Sequence, residues 1–169
     1  MTESEALAVL ADATSAIVCD ALDRMGLREQ ALDPALRPLW PAARLVGPAM
    51  PVVVVCEEAI PDQPYAGEMA ALDALAPGEV PVFQIESGSR AAAWGELFSC
   101  GAIGRGAVGA VCDGFVRDAR ERRYYWQICG LDSCYRNCDH LRAPCYLRYH
   151  WGRYKGERPN DDVHIQSGY

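Results

Sequence analysis

Between Trp94 and Asp118 the chain reads WGELFSCGAIGRGAVGAVCDGFVRD, and no other stretch restricts the fold as much. Gly95-Glu96-Leu97 opens a helical segment. Gly104-Arg105-Gly106 closes it, since glycine supplies the left-handed conformation on which helices commonly end. Val108–Cys112 follows as a short apolar run of strand type, Asp113-Gly114 as a turn dipeptide, and Arg117-Asp118 directly after. A helix feeding a buried strand is the repeating unit of α/β proteins.

The same alternation runs upstream. Thr2 and Glu5 have the spacing of a capping box for a first helix. Ile17, Val18, Ala21, Leu22 and Met25 fall on one face of a second helix that Gly26 is placed to end. Asp20 and Asp23 lie on its solvated side. Leu27–Arg44, punctuated by Pro34, Pro38 and Pro41, reads as a connecting loop packed down by Trp40. Leu45–Val46 and Met50–Val55 are strand-type, and the second, lacking polar alternation, is expected to be buried on both faces. Cys56–Pro64 is a solvated acidic loop. Tyr65–Leu75 is a helix with Met69, Leu72 and Leu75 inward, stopped by Pro77-Gly78. Val80–Ile85 is the next strand and Ser87-Gly88-Ser89 the turn beyond it; Arg90 and Trp94 serve mainly packing.

At 169 residues the chain is expected to be one domain with a sizeable core. Its longest apolar run, Pro51–Cys56, is far too short for a membrane span. The acidic start MTESEALAVL does not resemble a secretion signal, so a cytoplasmic location is the expectation. A net charge of −7 argues against nucleic acid as the main partner. That charge is uneven: residues 1–118 carry 7 Lys+Arg against 17 Asp+Glu, and residues 119–169 carry 9 against 6. The mildly basic, aromatic-rich tail suits docking on another subunit's acidic surface better than RNA contact. Cys19, Cys56, Cys100 and Cys112 sit in apolar contexts and read as small buried hydrophobes. Cys129, Cys134, Cys138 and Cys145 match no common zinc spacing and read as unpaired thiols.

The chemistry-bearing residues are concentrated around the opening stretch. Arginine offers a planar fork that matches a carboxylate with two parallel hydrogen bonds. A lone aspartate suits Mg²⁺, which keeps most of its waters. The amides at a helix start attract anions, so residues 95–98 can hold substrate oxygens. Glu96, at that start, can move a proton by way of water. The alternative for Arg117-Asp118 is a surface turn or a structural ion pair. Gly101–Gly106 (GAIGRG) imitates a dinucleotide loop only superficially, because it falls at a helix end rather than between strand and helix.

Glu96, twenty intervening residues and then Arg117-Asp118 form a pattern that resembles the family of 4-hydroxy-4-methyl-2-oxoglutarate aldolase and the regulator of ribonuclease activity A. Ser15–Gly26 and Leu45–Ala49 (LVGPA) extend the likeness upstream. It covers residues 14–122 well, whereas 123–169 diverge and lack the family's customary PVFARG stretch. The resemblance implies a layered α/β sandwich similar to phosphohistidine swivelling domains, assembled as a homotrimer. It further implies a metal-dependent aldolase that cleaves 4-hydroxy-2-oxo acids to pyruvate and decarboxylates oxaloacetate. Asp118 would carry the metal (Mg²⁺ or Mn²⁺), Arg117 would bind the carboxylate, and the Gly95-Glu96-Leu97-Phe98 backbone would contact substrate. Glu96 would accept the C4 hydroxyl proton. The family's regulator branch implies the rival reading, a non-catalytic protein that binds ribonuclease E or another protein partner.

Overall fold

The computed structural model describes residues 1–39, 43–57, 59, 62–86, 91–118, 128–131 and 146–151. Four helices are present among them: α1 (Glu3–Asp12), α2 (Ser15–Arg24), α3 (Ala66–Ala74) and α4 (Glu96–Gly104). The strands are β1 (Arg37–Pro38), β2 (Ala49–Glu57), β3 (Val80–Ile85), β4 (Ala92–Trp94), β5 (Ala110–Val116), β6 (Ile128–Leu131) and β7 (Tyr146–Trp151). They form one sheet in the order β1-β6-β5-β3-β2-β7, with β4 paired to the end of β5. β2, β3, β5 and β6 are mutually parallel, as are β4 and β5, while β1 and β7 add antiparallel edges.

The core follows the register. Val52 lies opposite Phe83, and Phe83 opposite Cys112, so one row of apolar side chains crosses three strands on the same face. Val52 and Cys112 are both fully buried and Phe83 is 1% exposed. Ala71, Leu72 and Leu75 of the α3 region, with Phe98 and Ala102 of α4, close over that row. Fully burying one such aliphatic or aromatic side chain contributes roughly 1.5–3 kcal/mol. The two helices run the same way: Leu72 abuts Gly101, and Asp73 forms an ion pair with Arg105. Each follows a parallel strand, so both helix starts lie at the carboxyl edge of the sheet.

Several sequence expectations hold and others need correcting. Thr2 and Glu5 form the capping box, Gly26 has φ +80 just past α2, and Val80–Ile85 is a strand. However, α2 buries none of its residues, and Ile17 and Met25 are 60% and 73% exposed. Helical spacing determines an amphipathic helix, not what covers it. Met69 is 49% exposed rather than inward. β2 is not buried on both faces either: Met50, Val52 and Val54 are buried, Pro51 is exposed and Val53 and Val55 are intermediate. Leu45–Val46 lies outside any strand, whereas Cys56 and Glu57 extend β2 into the supposed loop. The proline-rich connection contains β1. Asp113-Gly114 is no turn: both residues lie inside β5, Asp113 opposite Gln84, and a Cβ on Gly114 would run into the Ile85 side chain. Of the four cysteines expected to be buried, Cys112 alone is; Cys19 and Cys100 are exposed and Cys56 is intermediate. Trp40, Ser87–Arg90 and the tail cysteines Cys134, Cys138 and Cys145 lie outside the described residues.

Candidate functional site

Parallel strands deliver their ends to one edge, and open α/β sheets bind ligands there. β4 ends at Trp94, which is 1% exposed and stacks on Phe98 at 5.0 Å between ring centroids. Phe83 meets both rings edge-on, at 5.1 and 5.2 Å. The Trp94 indole N–H donates to Ser99 Oγ at 2.9 Å, and that hydroxyl donates to the Gly95 carbonyl at 2.9 Å. Ser99 is fully buried, so the relay satisfies a polar group that would otherwise cost about 1–3 kcal/mol. This aromatic and hydroxyl base fixes the turn from β4 into α4, which begins at Glu96 as the sequence pattern predicts.

β5 brings the second half. Its continuation is tied to β4 by Arg117 N–H donating to the Trp94 carbonyl at 2.9 Å. Asp118 then adopts φ 63, a left-handed conformation that aspartate tolerates better than most residues and that commonly marks functional sites. This backbone turn directs the carboxylate back to the start of α4, where Asp118 Oδ2 accepts the Glu96 N–H at 3.3 Å. Arg117 Nε lies 3.5 Å from the same oxygen. The Arg117 and Asp118 side chains are 57% and 43% exposed, so the pair is open to solvent and its mutual attraction is worth at most about 1 kcal/mol. Gly95 is required by proximity: a Cβ there would sit 2.8 Å from Asp118 Oδ2 and 2.9 Å from Arg117 Cγ.

Glu96, Arg117 and Asp118, separated in sequence, are thus neighbours at one sheet edge, and the helix-start amide of Glu96 is engaged by Asp118 rather than left open. Leu97 presents a first-turn N–H, a position without an intrahelical acceptor. Sequence reasoning missed Glu68. It lies in the first turn of α3, half-buried, with burial raising its carboxyl pKa and the Arg117 charge partly lowering it. No local pattern marks it, because its neighbour Arg117 is supplied by a different βαβ unit.

The donor set fits a hard cation held loosely. Among the described residues no group of three His, Cys, Asp or Glu side chains converges. A half-exposed carboxylate whose Oδ2 contact is long suits an ion that keeps most of its waters, as Mg²⁺ does.

Fold and edge geometry together define an α/β protein that brings Glu96, Arg117 and Asp118 to the carboxyl ends of parallel strands. The chain belongs to the RraA-like family, described as aldolase/RraA, whose model matches residues 15–137. Its fold is similar to that of RraAS2 from Streptomyces coelicolor, titled an unusual member of the RNase ES inhibitor RraA family. There the TM-score is 0.69 at 22% identity, over 88% of this chain and 72% of that one. It is also similar, at TM-score 0.70 and 22% identity, to a structure titled as novel cellulases from gut-associated microbes. That match covers 78% of this chain and 59% of the other, so this chain spans well under two thirds of that protein. The RNA-processing inhibitor RraA of Thermus thermophilis matches at TM-score 0.54 and 23% identity, over 71% and 67% of the two chains. Among curated proteins none matches the chain significantly.

Proposed function

We propose that this chain is a divalent-metal-dependent lyase that cleaves 4-hydroxy-2-oxo acids to release pyruvate and also decarboxylates oxaloacetate. The observation that carries this reading is the meeting of Arg117 and Asp118 with the first turn of α4, which bears Glu96, at the carboxyl edge of the sheet. Membership of a family that includes aldolases supports it. Asp118 would hold Mg²⁺ or Mn²⁺, and such a cation supplies Lewis-acid withdrawal from the 2-oxo group. Arg117 binds the substrate carboxylate through its planar fork. The backbone of Gly95, Glu96, Leu97 and Phe98 shapes the floor beneath the substrate oxygens. Glu96 takes the proton of the C4 hydroxyl through an intervening water. The C3–C4 bond then breaks, its electron pair remains on what becomes C3 of pyruvate, and water protonates that carbon. Assembly as a homotrimer belongs to the same proposal.

The second reading is a protein-binding regulator, supported by fold similarity to two proteins described as RNase ES or RNA-processing inhibitors. A lactate dehydrogenase-coupled assay with oxaloacetate and Mg²⁺ separates the two. The lyase releases pyruvate and stops on addition of EDTA. Absence of pyruvate, with inhibition of ribonuclease E by the same preparation, would establish the regulator instead.

A further inference from the structure

We propose that Ser99 is a positioning residue for the candidate site: its hydroxyl, within the core, holds the Gly95–Glu96 peptide so that the Glu96 N–H meets the Asp118 carboxylate. The inference rests on the lyase reading for what Asp118 then does, though not for the hydrogen-bond chain itself.

That chain begins in the core, where each donor has one direction open to it. The Trp94 indole N–H can only donate, and it does so to Ser99 Oγ at 2.9 Å. Both side chains are buried, so water is no alternative partner. The single hydroxyl hydrogen of Ser99 goes on to the Gly95 carbonyl, 2.9 Å away. The same carbonyl accepts the Ser99 main-chain N–H at 3.0 Å, so one residue grips it twice. Gly95 C=O and Glu96 N–H are opposite sides of one planar amide. Fixing the carbonyl therefore fixes the N–H, which reaches Asp118 Oδ2 at 3.3 Å. Indole, hydroxyl, peptide and carboxylate are thus joined head to tail, and donations that run in one direction polarise one another.

A serine hydroxyl bonded to the carbonyl four residues back is common in helices. Here the carbonyl belongs to the peptide that meets Asp118, and that peptide needs holding. Gly95 is the N-cap of α4 with no side-chain oxygen to offer, and glycine leaves the torsion that swings the peptide unusually free. Asp118 sits at φ 63, a locally costly conformation, so where its carboxylate rests depends on the partner that receives it. Any residue at position 99 makes the main-chain bond; the hydroxyl adds the second restraint. Ser99 does not touch the reacting atoms in this account. It acts through the Gly95–Glu96 peptide.

The test reads the Glu96 amide by nuclear magnetic resonance in the full metal-free chain, then uses Mn²⁺ alone as a binding probe. Ser99→Ala should shift the Glu96 amide proton upfield, speed its exchange roughly three- to tenfold and weaken Mn²⁺ binding by a similar factor, the worth of one hydrogen bond. Trp94→Phe removes the indole N–H and some packing but leaves the hydroxyl able to donate to Gly95. It should lower the melting temperature while keeping the Glu96 signal and the Mn²⁺ affinity near wild type. The double variant Trp94→Phe/Ser99→Ala buries no orphaned indole N–H, yet should lose the Glu96 signal as Ser99→Ala does. A merely structural role would move the two single variants alike, in step with their melting temperatures, and that result overturns the proposal. So does an unchanged Glu96 signal or Mn²⁺ affinity in either variant lacking the hydroxyl, or the failure of both to fold. A Glu96 signal that follows the expected pattern in a protein that binds no Mn²⁺ would sink the metal-dependent lyase reading and leave the role of Ser99 standing.

Discussion

Replacing Gly95 by alanine perturbs the candidate site at a modest cost in stability, which separates chemistry from folding. Gly95 has φ −163 and ψ −164, extended backbone that any residue adopts, so Gly95→Ala introduces no backbone strain. The helix start is weakened as well, since alanine is markedly poorer than glycine at the N-cap, by about 0.5–1 kcal/mol. The new Cβ, however, would lie 2.8 Å from Asp118 Oδ2, 2.9 Å from Arg117 Cγ and 3.0 Å from Arg117 Nε. Ordinary van der Waals contact begins near 3.4 Å, so both side chains must withdraw by several tenths of an ångström. Both are half-exposed and move toward solvent. The expected loss of stability is therefore about 1–2 kcal/mol, or roughly 2–8 °C in Tm for a chain of this size. Catalysis is less forgiving, because displacing positioned groups by about 1 Å can cost on the order of 100-fold. The coupled pyruvate assay should show kcat/KM falling about 10- to 100-fold, while circular dichroism still shows a folded protein whose melt is lowered by only those few degrees. Full activity in the folded variant would refute the reasoning, since the two side chains can be moved without consequence only if they are not the site.

Three further outcomes follow from the same geometry. Ser99→Ala leaves the buried Trp94 indole N–H without its acceptor and should destabilise by about 1–3 kcal/mol; a melting temperature equal to wild type would mean the relay contributes nothing. Burial pushes the Cys112 thiol up to about 12, with Asp113 adding to the effect, so it should resist alkylation at neutral pH until the protein unfolds. Peptide mapping should find Cys19 and Cys100 labelled before Cys112, and early modification of Cys112 would contradict its position in the core. Burial also raises the Glu68 pKa, so the native state binds this proton more readily than the unfolded chain. The resulting contribution to stability is complete below the ordinary glutamate value and is lost as pH rises through the raised one. Glu68→Gln lacks that loss, and its melting temperature relative to wild type should climb between pH 4 and neutrality; a constant difference would argue against the shift.

What the sequence disclosed and what it withheld divide along physical lines. Local backbone requirements were legible. Gly95 and the Gly104-Arg105-Gly106 stop bracket α4, with Gly106 at φ +79, and Val80–Ile85 forms β3 without residue error. Contacts made at long range were not. Asp113-Gly114 has the composition of a turn, yet glycine is there because the neighbouring strand's Ile85 fills the space of a Cβ. The face of α2 follows helical spacing but remains exposed, and Met69 has the right period and the wrong environment. For the candidate site, the residue pattern pointed to Glu96, Arg117 and Asp118, which the fold brings to one edge. The left-handed turn at Asp118, its bond to the Glu96 amide, and Glu68 approaching from α3 emerge only when two βαβ units share an edge.

The most direct test of the account is the Mg²⁺ dependence of pyruvate release from oxaloacetate by Asp118→Asn beside wild type. The substitution keeps the size of the side chain and removes the charge that would hold the cation. Activity of wild type should rise with added Mg²⁺ and saturate, while the variant should stay at background across the titration. An Asp118→Asn protein that follows the wild-type curve would contradict the assignment of this carboxylate, and with it the site.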